Sequence, residues 1–217
     1  MTETGRTCAP LIDHTLLKAD TRHDQIIQLC REAHHYGFAA VCVVPSRVAL
    51  AVRSLAGSSV KTATVIGFPL GATTSRAKAF ETTEAVKAGA QELDMVMAVG
   101  ALKDRDYDYV KTDILSVVHA AERRTVKVII ETTLLANDEK AAACNLAMES
   151  GAHFVKTSTG LTGDATESDV RLLRQQVGDR MGVKASGGIR TCQDALTMIR
   201  AGATRIGTSS GVAIVTE

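Results

Sequence analysis

The chain has 217 residues, of which 45% are hydrophobic and 23% charged, with a formal net charge of +1. That size suits one substantial core and one domain spanning 1–217, and the near-neutral balance gives no electrostatic reason to expect nucleic acid or an anionic membrane as partner. No apolar run approaches the roughly 18 residues that span a bilayer. Residues 1–10 lack an apolar signal-peptide core. The five cysteines are scattered without a C-x-x-C pair, as in reduced cytoplasmic proteins.

Along the chain, short β-rich runs alternate with amphipathic helical stretches. Strands are predicted over 11–15, 40–44, 61–66, 92–97, 126–131, 154–157, 182–185 and 205–207. Several are near-continuous apolar runs, as parallel strands covered on both faces require. Helices are predicted over 24–36, 75–88, 107–123, 138–150, 167–177 and 192–201. Gly37, Gly89, Gly151 and Gly202 each follow a helical run, where a left-handed C-terminal cap favours glycine. Asn137-Asp138 and Thr166-Glu167 offer polar N-terminal signals. Eight units of about 27 residues make a compact α/β single-domain (β/α)8 TIM barrel. An open doubly wound sheet shares the same alternation and is the alternative.

The late strands end in unusual company: Val155-Lys156-Thr157-Ser158-Thr159-Gly160 and Val183-Lys184-Ala185-Ser186-Gly187-Gly188. A lysine amine is nucleophilic only when neutral, and burial beside another cation favours that form. One strand-end lysine is as readily a structural ion pair; two, with Asp94 and Glu131 ending other strands, favour a shared pocket at the C-terminal mouth of the barrel. Thr159-Gly160, Ser186-Gly187-Gly188 and Gly207-Thr208-Ser209-Ser210-Gly211 follow strands six, seven and eight. Each alone is an ordinary turn, but together they occupy the places where barrel loops cradle phosphate.

These motifs, with Ile12-Asp13-His14-Thr15-Leu16-Leu17, Val65-Ile66-Gly67-Phe68-Pro69-Leu70-Gly71, Glu92-Leu93-Asp94-Met95-Val96, Ile189-Arg190-Thr191 and Ile206-Gly207-Thr208-Ser209-Ser210, resemble the deoxyribose-phosphate aldolase family in its order, from about residue 11 to 211. The resemblance implies a cytoplasmic class I aldolase that needs neither metal nor cofactor. Such enzymes cleave 2-deoxy-D-ribose 5-phosphate to acetaldehyde and D-glyceraldehyde 3-phosphate in deoxyribonucleotide catabolism, and a homodimer is implied. Lys156 then matches the Schiff-base lysine, Lys184 the second lysine that depresses its pKa, and Asp94 the acid that relays protons through water. Thr159, Gly160, Gly187, Gly188, Ser209 and Ser210 fall at phosphate-binding places, and Thr15 and Cys42 at the pocket wall. Leu161 stands where some members carry a phosphate-assisting lysine, which shifts weight to backbone donors and Arg190. The chain also lacks the C-terminal tyrosine that some members carry.

Other residues carry less. His34-His35 end a helix, where the dipole favours histidine, and no ligand set with metal spacing accompanies them. His14, beside Asp13, reads as packed structure near the pocket, Glu131 as a pocket-wall or ion-pairing residue, and Phe68-Pro69 as a loop over the site. Two other functions fit the bare pattern: a different Schiff-base barrel of the transaldolase or keto-acid aldolase kind, and a sugar-phosphate-binding barrel without catalysis.

Overall fold

The computed structural model describes every residue, Met1–Glu217. Its strands are β1 (Ile12–Leu16), β2 (Ala40–Val43), β3 (Lys61–Ile66), β4 (Glu92–Val96), β5 (Thr125–Ile129), β6 (Phe154–Lys156), β7 (Gly182–Ser186) and β8 (Arg205–Thr208). All neighbours pair in parallel, and β8 returns to β1 with Ile206 opposite Ile12 and Gly207 opposite Asp13. That last pairing closes the sheet into a single-domain (β/α)8 TIM barrel and excludes the open doubly wound alternative.

The helices are α1 (Glu3–Cys8), α2 (His23–Tyr36), α3 (Val48–Ser54), α4 (Ser75–Lys87), α5 (Val99–Lys103), α6 (Tyr107–Ala120), α7 (Asn137–Glu149), α8 (Glu167–Val177), α9 (Cys192–Arg200) and α10 (Gly211–Thr216). The sequence pattern anticipates α2, α4, α6, α7, α8 and α9. The other four run seven residues or fewer, two turns at most, too short for a 3.6-residue period to declare itself.

Most element ends fall within a residue of expectation, and three of the differences have evident local reasons. The fifth strand stops at Ile129, because Glu131 adopts a left-handed backbone (φ 46°, ψ 68°) that no strand can contain. Helix α6 stops at Ala120, before left-handed Glu122 and Arg123. Helix α7 takes Ala136 as its cap, with the Glu139 carboxylate accepting the Ala136 N–H at 2.7 Å, so Asn137 already lies inside the first turn. Gly37 caps α2 as its position suggests: at φ 69° its N–H donates to the carbonyl oxygens of Ala33 and His34.

Strand alternation divides the molecule in two. Outward residues such as Val41, Leu93, Val128 and Val183 join the helices in one apolar core. Inside the barrel, β2 and β3 present a small apolar wall of Ala40, Cys42, Ala63 and Val65. The remaining strands present charge: Asp13, Glu92, Asp94, Lys127, Lys156, Lys184 and Arg205. Bonds such as Lys184 to Asp94 join β7 to β4, strands that are not neighbours, so they cross the barrel interior.

Candidate active site

Asp94, on β4 and fully buried, is the hub. Its Oδ2 accepts hydrogen bonds from Lys156 Nζ at 2.9 Å and Lys184 Nζ at 2.7 Å, and its Oδ1 accepts from Lys127 Nζ at 2.7 Å. Lys127 also pairs with Glu92 at 2.6 Å, Lys184 also donates to Asp13, and Arg205 bridges Asp13 (2.7 Å) and Glu92 (3.0 Å). The Arg205 guanidinium lies 5.5 Å from the Phe154 ring centroid. Three cations, Lys127, Lys184 and Arg205, thus face three anions, Asp13, Glu92 and Asp94. The interior is balanced when Lys156 carries no charge, and burying an extra unpaired charge is costly.

The acid–base directions follow that balance. Burial holds the Lys156 amine below its ordinary value; Asp94 pulls the other way, but desolvation and the Lys184 cation win. For Lys184, burial also favours neutrality, yet Asp13 and Asp94 outweigh it and keep the ammonium charged. Burial alone would raise the Asp94 carboxyl, but Lys127, Lys156 and Lys184 hold it well below the usual range. Of these two lysines, the surroundings favour the neutral form of Lys156 and the charged form of Lys184.

Lys156 is also the one of Lys127, Lys156 and Lys184 that reaches open space. A cavity of about 350 Å³ is lined by Thr15, Phe68, Lys156, Thr159, Gly160, Ser186, Gly187, Gly188, Arg190, Thr208 and Ser209, among others. Lys156 lines it together with the loops after β6, β7 and β8. Thr157 ties two of those loops, its hydroxyl donating to Ser186 O and accepting from Ser186 N–H, both at 3.0 Å. The N–H groups of Gly160, Gly187, Gly188 and Ser209, all residues of the lining, donate to no protein acceptor, which leaves four backbone donors free. Ser186 Oγ, buried and without a partner, adds a hydroxyl near the lysines.

Several sequence-predicted residues fall elsewhere. Cys42 is completely buried in the small apolar wall rather than on the cavity lining, and burial pushes its thiol up to about 11. Ser210 lies off the lining, and its N–H is taken by Thr208 Oγ1 at 2.9 Å. Thr159 lines the cavity, but its N–H and hydroxyl both donate to Glu131, leaving it no free donor. Thr15 lines the cavity as expected, and Leu161 projects at its rim, 71% exposed. His14 is packed, its Nε2 paired with Glu32 at 2.8 Å and its ring edge-on to Phe38. His34 meets Ser58, and His35 stacks edge-on against Tyr36.

Sequence reasoning missed Lys127, Glu92, Arg205 and the role of Asp13. A charge inside Val126-Lys127-Val128-Ile129 was a visible signal, though no glycine run follows to mark it. Lys18, two residues beyond β1, lines the cavity with Arg190 and Asp164.

This geometry has known counterparts. A family model described as DeoC/LacD family aldolase matches residues 7–217. The chain is 59% identical over 214 residues to the deoxyribose-phosphate aldolase of Halalkalibacterium halodurans, covering 97% of this chain and 96% of that one. It is 60% identical over 205 residues to that of Streptococcus pneumoniae serotype 19F (strain G54), covering 94% and 93%. The tetrameric structure of deoxyribose phosphate aldolase from Aeropyrum pernix superposes with a TM-score of 0.92 at 33% identity, over 98% of this chain and 91% of that one. The chain belongs to the DeoC/LacD family of aldolases.

Proposed function

We propose that this aldolase reversibly cleaves 2-deoxy-D-ribose 5-phosphate to D-glyceraldehyde 3-phosphate and acetaldehyde through a Schiff base on Lys156, in cytoplasmic deoxyribonucleotide breakdown. The observation that carries the reading is a buried, charge-balanced lysine whose amine opens on a cavity walled by unpaired backbone N–H groups.

Neutral Lys156 attacks C1 of the open-chain sugar, and the carbinolamine hydroxyl takes a proton relayed from the Lys184 ammonium through water and leaves as water, giving a protonated imine. That cation accepts the electron pair of the C2–C3 bond once the C3 hydroxyl gives up its proton. Asp94, kept anionic by its lysines, orients Lys156 and passes protons with Lys184 through water. Glyceraldehyde 3-phosphate departs, the enamine is protonated at carbon, and water releases acetaldehyde and the free amine. Backbone donors of Gly160, Gly187, Gly188 and Ser209 hold the phosphate, with Lys18 and Arg190 outweighing Asp164 by one charge. The reaction draws on these side chains alone and calls for no metal or cofactor.

A coupled assay for glyceraldehyde 3-phosphate release tests the proposal. The protein turns over the sugar phosphate, and Lys156→Ala falls to background. Undiminished turnover by that variant would refute the mechanism. Turnover of a keto acid or ketose donor in preference to the deoxy sugar would refute the substrate.

A further inference from the structure

Glu131 is 3% exposed just beyond β5, and the imine chemistry makes no use of it. Its left-handed backbone is unfavourable for a residue with a side chain, and its buried carboxylate has no cationic partner, which costs desolvation. One oxygen, Oε2, accepts both donors of Thr159, the hydroxyl at 2.6 Å and the N–H at 3.3 Å. The other, Oε1, has no protein partner. The Thr159 hydroxyl in turn accepts the Leu161 N–H at 3.2 Å. Residues 159–161 are thereby fixed around Gly160, whose left-handed backbone (φ 82°) leaves its N–H unpaired on the cavity wall.

We infer that Glu131 is a positioning residue that acts through Thr159 to aim the Gly160 donor at the anionic end of the substrate, with no part in imine formation. The inference rests on the phosphate reading above and adds the residue that sets phosphate selectivity. Two unfavourable features, a left-handed backbone and a buried carboxyl oxygen without a partner, are retained at one residue whose side-chain hydrogen bonds reach only Thr159.

The left-handed backbone supplies a clean variant, because Glu131→Gly deletes the carboxylate at a position that glycine tolerates. Steady-state kinetics compare 2-deoxy-D-ribose 5-phosphate with unphosphorylated 2-deoxy-D-ribose. For Glu131→Gly, KM for the phosphorylated sugar rises about tenfold, the scale of one hydrogen bond to a charged group. Its kcat on that sugar, its kcat/KM on the unphosphorylated sugar and borohydride trapping of acetaldehyde at Lys156 all stay close to wild type. Glu131→Gln keeps an acceptor toward Thr159 and restores KM. Thr159→Val removes the shorter, hydroxyl bond from the other side and decides the matter should Glu131→Gly fail to fold. Equal losses on both sugars, an unchanged KM, or a Gln variant no better than Gly would overturn the inference. A wild-type protein inactive on the sugar phosphate would instead refute the substrate reading itself.

Discussion

A lysine buried among charges is reactive only if the surrounding charges already balance without it. Asp13, Glu92 and Asp94 are matched by Lys127, Lys184 and Arg205, so protonating Lys156 places a fourth cation in a closed space. Imine formation follows the neutral fraction of Lys156, so its rate rises with pH through the depressed pKa and then levels. Removing a neighbouring cation relaxes that depression. Lys184→Leu therefore slows borohydride trapping of acetaldehyde near neutral pH and moves its pH profile upward; a downward move would contradict the charge argument. Asp94→Asn removes the anion that favours protonated Lys156, so its trapping profile moves downward while turnover is lost. Charged residues inside apolar strands made Lys156, Lys184 and Asp94 legible in the sequence. Lys127 carries the same signal, but a sequence does not tell how deep an inward side chain lies, and depth separates a cavity lysine from a structural one. Nor could it show that the Thr159 donors were already engaged, because that contact spans 28 residues of chain.

At the level of elements, the site depends on how closely strands and loops approach. Gly207, on β8, faces β7 so tightly that an added Cβ would lie 2.1 Å from Ser186 Oγ and 2.9 Å from Lys184 Cε. Gly207→Ala must displace Lys184 or Ser186, so its kcat/KM falls by about tenfold or more, as one misplaced catalytic group permits; wild-type kinetics would refute this packing. Lys127, extending from β5, binds partners on β4 and reaches within 3.5 Å of Asp13 on β1. Lys127→Met leaves two carboxylates short of a cation, and urea unfolding should record a loss of about 3–5 kcal/mol, the scale for breaking a buried pair. A loss below about 1 kcal/mol would place that lysine in solvent-like surroundings. Strand positions were legible because the strands are short, mostly apolar runs set between helical patterns and glycine caps. The two-turn helices α1, α3, α5 and α10 were not, and α10 opens directly after the Ser209 loop.

For the molecule as a whole, barrel closure makes the site possible, since Lys184 on β7 meets both Asp13 on β1 and Asp94 on β4 only across a shared interior. Alternating strands and helices in the sequence left closure undecided between a barrel and an open sheet; the β1–β8 register decides it. Leu70 and Phe80 remain 76% and 69% exposed, and exposed apolar side chains of that size mark contact surfaces when they cluster. Light scattering should return about twice the 22.9 kDa chain mass, the dimer implied by the family resemblance; a monomer or a tetramer would replace that expectation. The central claim is that one amine in the entire chain is activated. Intact mass and peptide mapping after incubation with acetaldehyde and borohydride test it most directly. The account predicts a single adduct of about 28 Da, the ethyl group left by reducing an acetaldehyde imine, located on Lys156. Adducts spread thinly over surface lysines, or none at all, would contradict it.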